Sequence, residues 1–174
     1  MLVNTMIMGN YEAWTKDGRY GLRIPSKIIH KMLDSCRKSN DIETGGILVG
    51  YYNRSHDCAI VTDCSDAPKD SHRGKHFFYR GVYGLQRWLS SLWNLGQRRY
   101  YLGEWHFHPF AKPDPSCIDL EQMRENAENK SYNCPEPIMV LVGGDPSTDC
   151  SLCSFVCGKG FQVFELFTSW EKEK

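Results

Sequence analysis

The stretch from Tyr100 to Pro109 constrains the fold of this chain more than any other. An apolar run, Tyr100-Tyr101-Leu102, leads into Gly103-Glu104-Trp105-His106-Phe107-His108-Pro109. Read as a β-strand, it sends successive side chains to opposite faces, so His106 and His108 share one face while Phe107 points into a core behind. Pro109 has no N–H to give a ladder and ends the strand. Two imidazoles fixed side by side at a strand end make a rigid platform for a ligand.

Downstream, Lys112-Pro113-Asp114-Pro115 is a turn-forming loop. Ser116 then opens a polar segment of helical periodicity, with Ile118, Met123 and Ala127 on one side. Asp119 falls in the first helical turn. Two neutral imidazoles and one carboxylate are three protein ligands, the count that leaves a catalytic zinc an open position; a structural zinc takes four. Taken alone, Ser116 with Asp119 three residues on is also an ordinary helix cap with an acidic residue favoured by the helix dipole, and His-x-His recurs by chance. The conjunction of the two fragments across a short loop is what points to a single metal site of His106, His108 and Asp119.

The 174 residues suit one domain, 1–174, with room for a genuine core. Hydrophobic content of 41% and charged content of 24% are those of a globular protein, and zero formal net charge implies no bulk attraction to nucleic acid or membrane. No apolar run is long enough to span a bilayer. The apolar stretch Met1 to Asn10 is short, without a basic n-region or clear cleavage site, so a cytoplasmic location is expected. The eight cysteines read as reduced, mostly buried thiols. A second metal at Cys134, Cys150, Cys153 and Cys157 is the weaker alternative, because their run from Cys150 to Cys157 is strand-like where a zinc knuckle needs a turn.

Elsewhere helices and strands interleave. Tyr20 to Ile24 reads as a strand, and Pro25-Ser26 opens a helix burying Ile28, Ile29, Met32, Leu33 and Cys36. Cys58 to Thr62 is expected to form a hairpin with Ile47 to Tyr52. A polar, basic loop, Ala67 to Lys75, runs into the aromatic His76-Phe77-Phe78-Tyr79. Leu85, Trp88, Leu89, Leu92 and Trp93 recur at helical spacing as a core-facing stripe. Ile138 to Val142 is a buried strand, and two more follow near Leu152 to Cys157 and Phe161 to Phe167. The fold class is α/β (α+β).

Glu43-Thr44-Gly45-Gly46-Ile47-Leu48-Val49-Gly50 carries equal weight. A zinc-activated water needs a group that takes its proton, and Glu43 is a candidate. The adjacent glycines let the chain approach another strand or a substrate closely. Standing alone, Glu43 would read as a solvated residue beside a Gly-Gly turn. Glu104 competes as the base: two residues before His106, it shares that face of the strand and reaches the metal or the groups around it.

His106, His108, Pro109, Ser116 and Asp119 resemble the signature of the JAMM metalloproteases, the catalytic members of the MPN (Jab/Mov34) family. Glu43 to Gly50 resembles that family's Glu-x-x-Gly-x-Leu-x-Gly motif, in the expected order. Phe107 departs from the usual Ser or Thr; facing away from the metal, it should alter packing alone. The family also has another residue type at Glu104, which is then second to the ligands or faces substrate. The resemblance implies a curved mixed β-sheet flanked by helices with one catalytic Zn²⁺ at the sheet edge. It further implies proton transfer by Glu43 and an oxyanion hydrogen bond from Ser116. The short Gly-Glu-Trp-His-x-His-Pro form is similar to small prokaryotic members, such as the deconjugating isopeptidases of CBASS antiphage operons. These imply cleavage after the C-terminus of a CD-NTase or ubiquitin-like protein, beside operon-encoded activating or conjugating-like enzymes. Processing of ubiquitin-like or sulfur-carrier precursors, hydrolysis of a small amide or nucleobase, and a non-catalytic MPN scaffold remain as alternatives.

Overall fold

The structure, a computed structural model, describes residues 10–169. Apart from Asn10, the apolar N-terminal stretch lies outside the described residues. In chain order the elements are β1 (Tyr11–Trp14), β2 (Gly21–Ile24), α1 (Ser26–Ser39), β3 (Thr44–Tyr52), β4 (Cys58–Cys64), β5 (His72–Arg73) and β6 (Phe78–Tyr79). Then come α2 (Leu85–Trp93), β7 (Tyr100–Pro109), α3 (Cys117–Glu128), β8 (Ile138–Asp145), β9 (Asp149–Cys157) and β10 (Val163–Thr168).

The sheet is mixed and curved, as expected, but it is not open. Eight strands close into a barrel in the order β1-β10-β9-β8-β7-β3-β4-β2, leaving β5 and β6 as a separate two-stranded ribbon. The strand that closes it, β1, pairs with β2 on one side and β10 on the other. Its four residues, Tyr-Glu-Ala-Trp, are too few to show a period in sequence, yet Tyr11 and Ala13 are buried. Closure satisfies backbone groups that an open edge would leave to solvent. The histidines ride on β7, which is paired by β3 and β8 on its two sides.

One face of β7 fills the barrel. Trp105 and Phe107 are fully buried there with Leu22, Leu48, Val61 and Val140, and α1 adds Met32, Leu33 and Cys36 to the same cluster. On the outside, α3 places Met123 against Met139, Leu141 and Phe155. Helix α2 covers Ile47, Val49 and Tyr101 through Leu92. The expected aromatic core face of α2 is only partly formed: Leu92 is buried, Trp88 packs at the margin, and Trp93 is 47% exposed. A nine-residue helix against a convex barrel wall reaches it with one narrow stripe.

The alternation of β9 parts its cysteines: Cys150 joins the barrel interior, whereas Cys153 and Cys157 pack beneath α3. All eight cysteines are free thiols. Among the described residues no helix is long and apolar enough to cross a membrane.

Candidate active site

A β-bulge aims β7 at the site. Leu48 pairs with Gly103 and Val49 with Tyr101, leaving Leu102 as the extra residue. Gly103 takes φ 147, and a Cβ there would lie 1.8 Å from Ile138 O, so a side chain is excluded by backbone and neighbour alike. From the bulge onward, Glu104, His106 and His108 share the face away from the barrel core. Glu104 and His106 are buried at 4% exposure each; His108 is half-buried.

The pairing of β3 with β7 sets Gly45 opposite His106, bringing Glu43, just before β3, to the same end of the strand. Gly45 is needed for this approach: a Cβ would stand 2.2 Å from Trp105 O and 2.8 Å from the Phe78 ring.

Ser116 and Asp119 form a capping box at the start of α3. Ser116 Oγ accepts from Asp119 N at 3.2 Å and donates to Asp119 Oδ2 at 2.6 Å; Ser116 N donates to the same oxygen at 2.7 Å. The cap therefore aims the carboxylate at the histidines, because the remaining oxygen, Oδ1, lies 2.9 Å from His106 Nδ1, while Oδ2 is 3.6 Å from His108 Nε2. The helix-cap and ligand readings of Asp119 are one geometry. Of the residues that periodicity groups on one side of α3, Met123 is buried, whereas Ile118 is 48% exposed and lines the cleft.

Among the described residues no group of three or more His, Cys, Asp or Glu side chains is arranged to hold a metal ion; His106 and Asp119 bond each other directly. The donors nonetheless suit a small divalent ion. Two imidazoles and a carboxylate are the donor types of a zinc site, and the Asp119 carboxylate lies 2.9 Å from the His106 ring and 3.6 Å from the His108 ring.

The electrostatics divide sharply. Burial raises Asp119, but its hydrogen bonds from His106 and Ser116 outweigh that and bring it down to about 2. Burial alone would lower His106, yet hydrogen bonds to Asp119 and Glu104 raise it to about 9. Glu43 goes the other way. Burial, reinforced by the Asp119 charge and only partly offset by His106, pushes it up to about 7. A carboxyl poised near neutrality is suited to accept and return a proton.

Glu43, His108, Ser116, Ile118 and Asp119 line a cleft of about 270 Å³. One wall is the β5–β6 ribbon, tied to β3 by Glu43 N donating to Gly74 O at 2.8 Å and by Arg73 Nη1 donating to Thr44 Oγ1 at 2.9 Å. Phe77 and Tyr79 are 43% and 52% exposed, whereas Phe78 turns in and meets the His106 ring edge-on at 5.3 Å. The basic loop read in the sequence is thus partly this ribbon.

Glu104 lies behind His106, not in the cleft. Its Oε2 is 3.4 Å from His106 Nε2, and its Oε1 accepts from Arg80, Asn126 and Tyr101. Sequence reasoning missed Arg80, Asn126 and Tyr101. For Asn126 a signal existed, a polar residue on the Met123 and Ala127 side of the helix; Arg80 gave none, following an aromatic run in a loop.

Residues 25–155 match the family described as prokaryotic homologs of the JAB domain. Over 141 residues the chain is 41% identical to a CD-NTase/cGAS isopeptidase of Enterobacter hormaechei subsp. hoffmannii, covering 81% of this chain and 77% of that protein. It is 28% identical over 125 residues to a probable metalloprotease, y4qB, of Sinorhizobium fredii, covering 71% and 76% of the two. In fold it is similar to the solution structure of protein DSY2949 from Desulfitobacterium hafniense, with a TM-score of 0.57 over 80% of this chain and 85% of that one at 19% identity. The family match and these relatives support a hydrolase of the JAB type. The chain belongs to the prokaryotic JAB-domain family, in agreement with the resemblance read from its histidines.

Proposed function

We propose that this protein is a zinc-dependent isopeptidase that cuts after the C-terminus of a CD-NTase or ubiquitin-like protein, freeing it from its conjugates in a cytoplasmic antiphage system of the CBASS kind. The observation that carries the chemistry is the meeting of His106, His108 and Asp119 with a neutral-range Glu43 across one cleft. The relative named CD-NTase/cGAS isopeptidase supports the substrate class.

A zinc ion held by His106, His108 and Asp119 would supply Lewis-acid polarisation of the scissile carbonyl and of the attacking water. Glu43 takes the water's proton and delivers it to the departing amine. Ser116, exposed at the helix start, can turn its hydroxyl from Asp119 to the developing oxyanion. Phe78 and the β3 backbone shield the rear of the site from water. An extended C-terminal tail fits beside the ribbon, since among the described residues β5 and β6 pair with each other alone, which leaves an edge for an added strand. Phe77, Tyr79 and Ile118, exposed where they line the cleft, give such a tail apolar contacts.

The test is cleavage of a panel of C-terminally extended CD-NTase and ubiquitin-like fusions, with and without a zinc chelator. Chelator-sensitive cutting directly after one native C-terminus is the expected result. Zinc-loaded protein that cuts none of them would point to a scaffold or to a small-molecule amidase.

A further inference from the structure

We propose that Glu104 and Arg80 form a buried strut that fixes the orientation of His106 toward the metal, Glu104 acting as a positioning residue and Arg80 holding it; the inference rests on the metal-site reading above. The two oxygens of Glu104 have different tasks. Oε1 is filled: it accepts from Arg80 Nε at 2.9 Å, Arg80 Nη2 at 2.8 Å, Asn126 Nδ2 at 2.9 Å and Tyr101 OH at 3.3 Å. Oε2 is left to face His106 Nε2 at 3.4 Å.

The guanidinium is equally committed. Arg80 Nη1 donates to Gly81 O and Nη2 to Tyr132 OH, each at 2.8 Å, and Tyr132 stacks on Tyr101 with ring centroids 4.4 Å apart. Neither member can swing without abandoning several bonds. The Nε2 proton of His106 is thereby kept on the Glu104 side, and Nδ1 is turned toward Asp119 and the ligand position. A carboxylate that takes one ring N–H orients a metal-bound imidazole and strengthens it as a ligand.

Stability is a poor explanation for the pair. The side chains of Arg80 and Glu104 are 4% and 5% exposed, and two ions taken out of water gain little over apolar residues of the same volume. The origin of Arg80 is informative too. It follows directly on the β6 ribbon, so the segment whose Phe77 and Tyr79 border the cleft also holds the rear of the metal site through Phe78 and Arg80.

The experiment compares zinc affinity, by competition with a chromophoric chelator, for wild type, the double variant Glu104→Gln/Arg80→Met and the single variant Glu104→Asp. The double variant removes both charges together, so no lone ion is left buried. Glu104→Asp keeps the ion pair but withdraws the carboxylate from His106. Thermal melting of the chelator-treated proteins checks the fold independently of the metal. The expected result is zinc binding about 10- to 100-fold weaker in the folded variants. Should the double variant not fold, Glu104→Asp decides alone. Wild-type affinity in either folded variant overturns the strut and leaves the metalloprotease reading standing; a wild type that binds no zinc overturns both.

Discussion

Two glutamates flank His106, and they have been given opposite environments. Glu104, behind the ring, is 4% exposed; burial raises its pKa, but hydrogen bonds from His106 and Arg80 overwhelm that and hold it at about 2. Glu43, in front, is half-buried, and no side chain among the described residues donates to it; burial and the nearby Asp119 push it up to about 7. One residue type is thus held as an anion behind the ring and near neutrality in front of it, the difference on which the proposed proton transfer by Glu43 relies. Their pKa values are separated by what surrounds them, the arrangement by which one fold runs acid and base chemistry together. Position on the sheet alone favours neither, since Glu104 stands two residues before His106 along β7 and Glu43 two residues before Gly45, the residue paired with His106.

The contrast can be broken from either side. The largest effect is expected from Asp119→Ala, which removes the group that loads both His106 and Glu43. Zinc content should fall close to zero and cleavage of the best fusion below detection. A variant that keeps a full zinc complement would show that Asp119 is only a helix cap.

Trp105→Ala perturbs the barrel interior behind both glutamates without touching either carboxylate. It should cost about 3–5 kcal/mol in urea unfolding. A loss under about 1 kcal/mol would mean that the Trp105 side of β7 is not the core that holds the site.

Ser116→Ala separates the two roles of that hydroxyl. Loss of the cap should cost about 1 kcal/mol of stability, and loss of the oxyanion hydrogen bond should lower kcat by about 10²-fold with zinc retained. A stability loss with unchanged kcat would confine Ser116 to capping.

The smallest effect concerns pH. Because Glu43 in the folded chain titrates near 7, above the ordinary 4.5, the folded state holds a proton that the unfolded state has lost between those values. Its contribution to stability is therefore fully present below about pH 4.5 and is lost as pH rises through about 7. In chelator-treated protein, the stability of wild type relative to Glu43→Gln should fall by on the order of 1 kcal/mol from pH 5 to pH 8, after solvent screening. A difference that is flat or grows with pH would place Glu43 in an ordinary solvated setting.

Much of this site was legible before any coordinates, for identifiable reasons. The alternation of β7 gave the shared face of His106 and His108 and the inward Phe107, because a strand's period is two and leaves no other arrangement. The Ser116 to Asp119 spacing gave the capping box, because that motif is local. Barrel closure was not legible: β1 is four residues long, and although β2 follows after a short turn, the partner that closes the barrel, β10, lies at the other end of the chain. Nor was the Arg80 to Glu104 pair, whose members come from a loop and a strand joined only in the fold. The exposed Trp93 shows the limit of periodicity, which says which residues share a face but not how much of that face a curved sheet will cover.

The most direct measurement runs zinc content and cleavage rate in parallel on wild type and Glu43→Gln. One zinc retained per chain with the rate lowered about 10²- to 10⁴-fold is the expected outcome, that of a proton carrier outside the ligand set. Zinc lost along with activity would make Glu43 a ligand, and a rate close to wild type would move the proton transfer to another group; either result contradicts the division of labour between the two glutamates.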